Sequence, residues 1–311
     1  MSDRDLVSVV VPTYYRNDRL RQCLNSVAEQ TYEPVEVIVV DGSGDKHAQL
    51  VVDDNVEYVP QKKDEGPHAA REVGARHSNG EYVQFLDDDD QLKPPKIQEQ
   101  VSLLESSDNL GVAYCGIETE FGDVTLPDPA ARGDVLEIAL RFDLPPCNTS
   151  TMLIRRSVLD PLLPFVNKHG ADDIGMKIEL ARCTEFGFVE APWVIRGEPS
   201  DSLGKSWAAV EGRREILDTD EGLYEKFPKS VRRTALANIH EVTLQRRLEE
   251  QFWSLGAILD GYRMVRTAPS PTRKQWGQFL AAPIGKPGYV LLGYLWRVAR
   301  WNVRPTEFDI A

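Results

Sequence analysis

Residues Gly80–Leu92 read GEYVQFLDDDDQL, an apolar run that ends abruptly in four consecutive aspartates. Glu81–Leu86 has the length and the aromatic and aliphatic content of a buried strand. Four adjacent carboxylates repel one another, and each raises the pKa of its neighbours. At a strand end such a cluster has a use, because ligands of open α/β sheets bind beyond the carboxyl ends of the strands. The bland alternative is a solvated acidic turn, and the cluster alone leaves both open.

The flanking segments supply the sheet. LVSVVVP (6–12), VEVIVVD (35–41) and VEYVP (56–60) read as strands, the first buried on both faces. NDRLRQCLNSVAEQ (17–30) places Leu20, Cys23, Leu24, Val27 and Ala28 on one helical face, with Asn17 or Asp18 as its cap. GPHAAREVGARHSNG (66–80) is a helix with Pro67 in its first turn and a glycine stop. PPKIQEQVSLLESS (94–107) is another, with Ile97, Val101 and Leu104 inward. Short strands alternating with such helices predict an α/β fold, a mostly parallel central sheet with helices on both faces.

Beyond residue 110 the pattern changes. GVAYCGIETEF (111–121), STMLIRRSVL (150–159) and FVEAPWVIRG (188–197) read as strands, and DDIGMKIELARCTEFG (172–187) as a helix. From about residue 205 the chain reads as a helical C-terminal extension, which predicts domains of residues 1–205 and 206–311. Its last stretch, GYVLLGYLWRVARW (288–301), mixes aromatic, aliphatic and arginine residues. That composition suits either a helix lying in a membrane interface or one docked on the core. Pro283, Lys286 and Pro287 argue against a span.

Composition narrows the function. The 311-residue chain is 41% hydrophobic with a formal net charge of −13. Its acidity argues against nucleic acid as a partner and is also the surface expected of a protein from a high-salt, archaeal cytoplasm. The four cysteines show no CxxC spacing, so reduced thiols are expected. No basic segment followed by an apolar one opens the chain, and no apolar run of about 18 residues occurs. A cytoplasmic chain is therefore expected, with at most peripheral contact to the inner face of the cell membrane.

The strand ends bring Asp41 and Asp87–Asp90 to one rim. Carboxylate oxygens suit Mg²⁺ or Mn²⁺, which typically adds substrate phosphates to one or two protein ligands. Such an ion would relieve the repulsion and neutralise a leaving phosphate. Other aspartate sites need different neighbours. A calcium loop starting at Asp87 requires glycine where Leu92 stands. A dehalogenase-type phosphatase motif requires threonine or valine where Gln91 stands. The first strand is followed by PTYYRND rather than GxGxxG, against a dinucleotide fold.

VSVVVPTYYRNDRLRQCLNSVAEQTYEPVEVIVVDGSGD, AAREVGARHSNGEYVQFLDDDDQL and HGADDIGMKIELA, in that order, resemble the family 2 glycosyltransferases of GT-A fold. The resemblance covers roughly residues 6 to 200. It implies an inverting enzyme with a nucleotide-sugar donor, most often UDP-linked, and a divalent metal. It places the nucleobase at Pro12, Thr13 and Tyr14, where Tyr14 can stack on it. It gives Asp41 a hydrogen bond from the base and Arg71 a place in the nucleotide site. FLDDDDQL matches the family's DxD pattern with Asp87 and Asp89 as the pair. On this reading Asp87 and Asp88 serve the nucleotide and Asp89 and Asp90 the metal, Asp88 being the most replaceable.

Asp173 aligns with the general base and Asp172 with the acidic residue before it. An inverting transfer needs a carboxylate to take the acceptor's proton as the sugar leaves from the opposite face. Arg196 falls where the family places a basic residue near the diphosphate; the usual histidine after it is missing, with Glu198 nearby. His169, like the other histidines, lacks metal-ligand spacing. The QxxRW motif of processive synthases is absent, which predicts one sugar per encounter. Residues 123–148 and the Asp173 helix are expected to contact the donor sugar and the acceptor. The implied acceptor is a glycan or a dolichyl- or polyprenyl-phosphate-linked one, as in S-layer, N-glycan or surface-polysaccharide assembly. Two rivals are a nucleotidyltransferase, which usually has a glycine-rich basic loop after its first strand, and a non-catalytic carbohydrate-binding relative.

Overall fold

A computed structural model describes residues 4–166, 170–197 and 206–301, with side chains described up to Leu295. Glu198 and His169 lie outside the described residues. Two compact units divide the chain, Met1–Ser202 and Leu203–Ala311.

The first unit is built on nine strands: β1 (Val7–Thr13), β2 (Val35–Asp41), β3 (Glu57–Pro60), β4 (Tyr82–Phe85), β5 (Gln91–Leu92), β6 (Leu110–Thr119), β7 (Val124–Thr125), β8 (Leu153–Arg155) and β9 (Glu185–Arg196). They form a single sheet in the order β3-β2-β1-β4-β8-β6-β9-β5, with β7 paired to β6. Its helices are α1 (Asn17–Ala28), α2 (Pro67–His77), α3 (Lys96–Glu105), α4 (Leu136–Leu140), α5 (Arg156–Leu159) and α6 (Asp172–Ala181).

Strand β1 is apolar on both faces because both are covered. Val7, Val9 and Val11 pack in one cluster with Leu20, Cys23 and Val27 of α1 and Ile97, Val101 and Leu104 of α3. Val10 points the other way, against Gly74 of α2, where a Cβ would overlap its side chain. This glycine lets the α2 backbone sit directly on the sheet. The parallel register pairs Thr13 with Asp41 and Asp41 with Pro60, so these strands end level. Phe85 pairs with Val10, and Leu86 N donates to Val10 O at 2.9 Å. The aspartates that follow therefore lie beside Thr13, on the same rim.

The sequence and the structure differ in four places. The helix expected over residues 172–187 ends at Ala181, because Glu185–Gly187 already pair as part of β9. The sheet is mostly parallel, through β3-β2-β1-β4 and again between β6 and β9, but β8 runs antiparallel to β4 and β6, and β5 antiparallel to β9. The reason is the route of the chain, which reaches β8 from the aspartate rim through residues 148–152 and needs no crossover helix. The strand expected over residues 150–159 is only Leu153–Arg155. It stops because the Arg156 guanidinium bonds Gly80 O at 2.5 Å and Ser78 Oγ at 2.7 Å, turning the chain into α5. Neither Asn17 nor Asp18 caps α1: its cap is Arg16, and Asn17 Nδ2 donates to His47 O at 3.0 Å instead.

The second unit contains α7 (Trp207–Thr219), α8 (Glu221–Tyr224), α9 (Lys229–Glu250), α10 (Leu255–Thr267), α11 (Arg273–Ala281) and α12 (Lys286–Trp301). Leu244 and Leu248 of α9 pack with Ala257 of α10 and Ala282, flanked by Tyr289 of α12. Asp260 is buried and bonded to Arg247 Nε at 2.8 Å. No described helix is long and apolar enough to cross a membrane. All four cysteines are free thiols.

A charged side chain lies inside the first unit's core. Lys96 is fully buried, and its ammonium donates to Gln84 Oε1 and, at 2.6 Å, to Gln100 Oε1. Those amides donate onward, Gln84 to Ser150 O at 3.0 Å and Gln100 to Thr151 O at 2.7 Å. Burial lowers the Lys96 pKa from 10.5 to about 8. Between those values the unfolded chain binds more protons, so the cost of the buried charge is full below about 8 and fades by 10.5. The unfolding free energy of the native protein minus that of Lys96→Met should therefore rise across this window in denaturant titrations. A difference that stays flat with pH would mean the amine is not desolvated as described.

Candidate active site

The aspartate turn is held from several sides. Asp90 N donates to Asp87 O at 3.0 Å, closing the turn. Asp87 Oδ1 accepts from Arg71 Nη2 at 2.5 Å, and its backbone N–H donates to Ser150 Oγ at 3.2 Å. Asp88 is buried; its oxygens accept from Thr13 Oγ1 at 2.7 Å and Arg16 Nη1 at 3.2 Å. The same Arg16 nitrogen donates to Asp89 Oδ2 at 3.2 Å. Asp90, also buried, accepts from Gly197 N at 3.0 Å. Gly197 packs its α-carbon against Asp89 O, where no Cβ would fit.

Asp88, Asp89 and Asp90 resist ionisation. Burial comes first for Asp89, then repulsion by Asp87 and Asp88, and together they push its pKa to about 6. Burial and Asp87 likewise push Asp90 well up. Asp88 is raised by burial, against the pull of Thr13 and Arg16. Ligand oxygens of Asp87, Asp89 and Asp90 lie within 4.8 Å of one another. Three crowded carboxylates, of which Asp89 and Asp90 have raised proton affinity, are a donor set that a hard divalent cation fits.

Arg71, on α2, is buried. Burial opposes its charge, while Asp87 and then Asp172 and Asp173 favour it. The guanidinium thus couples the turn to the first turn of α6. Its Nε is buried without a hydrogen-bond partner. Asp173 Oδ2 accepts from Lys177 Nζ at 3.3 Å, and Lys177 also donates to Cys147 O at 2.8 Å. Arg71 and the aspartate turn are therefore gathered with Asp172 and Asp173 in one charged neighbourhood.

The remaining predicted residues divide. Pro12 is buried within β1, and the Thr13 hydroxyl is turned to Asp88. Of that trio Tyr14 alone is exposed, its ring edge-on to Tyr15 at 4.8 Å. Asp41 is buried and accepts from Ser43 N and Ala48 N at 2.9 Å each and from Tyr58 OH at 2.7 Å. Burial would raise its pKa, but these donors outweigh burial and hold it below the usual carboxylate range. Asp41 thereby shapes the loop after β2. Arg196 is exposed at the end of β9.

Arg16, Tyr58, Ser150 and Lys177 were not among the predicted site residues. Arg16 stands three residues past the first strand, but nothing in the sequence places it opposite Asp88. Ser150 sits in a segment whose reading as strand concealed its turn.

The mixed sheet with helices on both faces and an acidic strand-end turn defines a GT-A fold. The chain belongs to glycosyl transferase family 2, whose family model matches residues 8–163. An "uncharacterized glycosyltransferase" of Rickettsia typhi is 37% identical over 117 residues, 36% of each chain. One from Nostoc is 28% identical over 174 residues, 51% of this chain and 53% of its own. The chain thus spans between a third and about half of these relatives' length. Among solved structures, Staphylococcus aureus TarS 1-349 in complex with UDP-GlcNAc superposes with TM-score 0.57 at 18% identity, covering 98% of this chain and 94% of that one. The mannosyltransferase PcManGT from Pyrobaculum calidifontis, in complex with GDP-Man and Mn²⁺, gives 0.58 at 19% identity, covering 98% and 89%.

Asp88 is the residue for which the sequence expectation and the structure part most. It reads as the variable member of the turn, yet it is buried between Thr13 and Arg16. Asp88→Ala is expected to lower unfolding free energy by roughly 1–3 kcal/mol without ligand, because the Thr13 hydroxyl loses its acceptor and Arg16 loses one of its carboxylate partners. A replaceable surface position stays within about 0.5 kcal/mol. Chemical denaturation of the two proteins distinguishes these outcomes.

Proposed function

We propose that the chain is an inverting, metal-dependent glycosyltransferase. It moves a single sugar from a nucleotide-sugar, UDP-linked, to a glycan or a dolichyl- or polyprenyl-phosphate-linked acceptor. The observation that carries the reading is the gathering of Asp87, Asp89 and Asp90 with Arg71 and the Asp172–Asp173 pair. Family membership and the ligands named for TarS and PcManGT support it.

Asp87, Asp89 and Asp90 would hold Mg²⁺ or Mn²⁺, which supplies charge neutralisation of the diphosphate leaving group when bound. Asp87 joins the two ligands expected from sequence because its oxygen belongs to the same cluster. Tyr14 is the exposed ring at the end of β1 on which a nucleobase can stack. Arg71, already bonded to Asp87, keeps a buried Nε–H in reserve for an anionic group. Asp173 takes the acceptor's proton, and Lys177 at 3.3 Å orients that carboxylate. A lipid-linked acceptor implies a cytoplasmic chain meeting the inner face of a membrane, with α12 as the contact, in glycoprotein or surface-polysaccharide assembly.

A panel of nucleotide sugars with Mn²⁺, read by thermal shift and donor hydrolysis, tests the reading. Stabilisation by a UDP-linked donor that disappears in Asp89→Ala is expected. Asp173→Asn should lower turnover by roughly 10²–10⁴-fold while keeping nucleotide-dependent stabilisation. Turnover unchanged in Asp173→Asn would remove the base assignment. Stabilisation by no nucleotide would overturn the whole reading.

A further inference from the structure

The second unit exposes large apolar side chains where a water-soluble surface normally scatters them singly. On α11 and the turn after it, Trp276, Leu280 and Ile284 follow one another at four-residue spacing, and all are exposed. Ile284 adjoins a corner made by the segment between α9 and α10. There Trp253 Nε1 donates to Pro283 O at 3.0 Å, and Lys286 N donates to Phe252 O at 2.8 Å. Phe252 is 73% exposed and Trp253 52%, although each is tied down through its backbone or indole N–H. Helix α12 starts at this corner and exposes Val290, Leu291, Tyr294 and Leu295. Gly277 of α11 packs on Leu292 of α12, which holds the two helices side by side.

Charge separates this region from the rest of the chain. Between Gly261 and Trp301 the sequence has no aspartate or glutamate. It carries Arg263, Arg266, Arg273, Lys274 and Lys286, followed by Arg297 and Arg300, in a chain of net charge −13. Lys274 is paired with Glu241 at 2.7 Å and Arg263 with Asp260 at 3.5 Å. The positive excess beside the exposed aromatics is therefore carried by Arg266, Arg273 and Lys286, and an acidic protein meets an anionic surface with least repulsion there. Tryptophan and tyrosine beside aliphatic residues, flanked by arginine and lysine, fit the boundary between headgroups and acyl chains. A nucleic acid would use the positive charge but leave the aliphatic stripes in water. A second copy of the chain would bury the stripes but set like charges against each other.

We infer that the surface formed by α11, α12 and the Phe252–Trp253 corner is a monotopic docking face for a bilayer rich in anionic lipid. The inference deepens the lipid-linked reading above by naming the lipid class and extending the contact beyond α12. Apolar stripes insert at the level of the headgroups, and the basic residues pair with lipid phosphates. Each basic residue near such a surface strengthens binding roughly fivefold, and the attraction weakens with salt.

Co-flotation of the full chain with vesicles tests this. Vesicles of phosphatidylcholine with phosphatidylglycerol should carry the protein, pure phosphatidylcholine vesicles much less, and added salt should release part of it. Arg266→Glu with Arg273→Glu should weaken binding to the anionic vesicles by at least roughly tenfold. Leu280→Asp with Leu291→Asp should weaken it comparably, and because all four positions are exposed the thermal midpoint should hold. Equal binding to both vesicle types, or none to either, overturns the inference. So does a lipid-independent dimer in sedimentation that the leucine substitutions dissolve, which would assign the face to a second copy. Nucleotide-dependent stabilisation, measured on the same variants, should be unchanged. A failure of vesicle binding with that stabilisation intact sinks the docking face and leaves the transferase reading standing.

Discussion

Like-charge crowding at the end of β4 is the constraint around which the first unit is arranged. Four carboxylates in consecutive positions cannot be packed without cations and oriented N–H groups close by. The chain supplies Arg71 from α2, Arg16 from the start of α1, the Thr13 hydroxyl from β1 and the Gly197 amide from β9. These groups come from the two faces and both halves of the sheet. The internal cations pair with Asp87, Asp88 and Asp89. They leave Asp89 and Asp90 with proton affinities raised by burial and repulsion. A site in that state favours an added positive charge, whether proton or metal ion.

The fold was legible to the extent that it is written in local periodicity. β1 and β2 are apolar and short, α1 and α3 carry their inward residues at helical spacing, and Gly80 and Pro67 mark boundaries. Such signals depend on neighbours within a turn or two of chain. The second half of the sheet depends on something else. β8 has three residues, too few to show alternation, and β5 has two. Both exist because a partner strand already in place accepts their backbone groups, which no window of sequence displays.

The site divides along the same line. Asp87, Asp89, Asp90, Arg71 and Asp173 could be picked out from motifs, and the structure gathers them. Arg16 could not, since its role lies in the distance between residues more than seventy positions apart. Asp88 shows the reverse failing, because a motif marks which positions bear chemistry and is silent on burial. Asp41 shows a third case. Its place at a strand end was predicted, but its three internal donors turn it into the brace of a loop.

The contact at Gly197 has a mechanical meaning. The hydrogen bond from its amide to Asp90 spans 107 residues and joins the end of β9 to the end of β4. No Cβ stands between that backbone and Asp89 O. The joint therefore has little slack, and a side chain of any size at this position would act as a wedge. It would push on the backbone beside the carboxylates, while the parallel pairings of β1, β2 and β4 lie away from the clash. A fold can thus be kept whole while its chemistry is detuned from a position that bears no functional group at all.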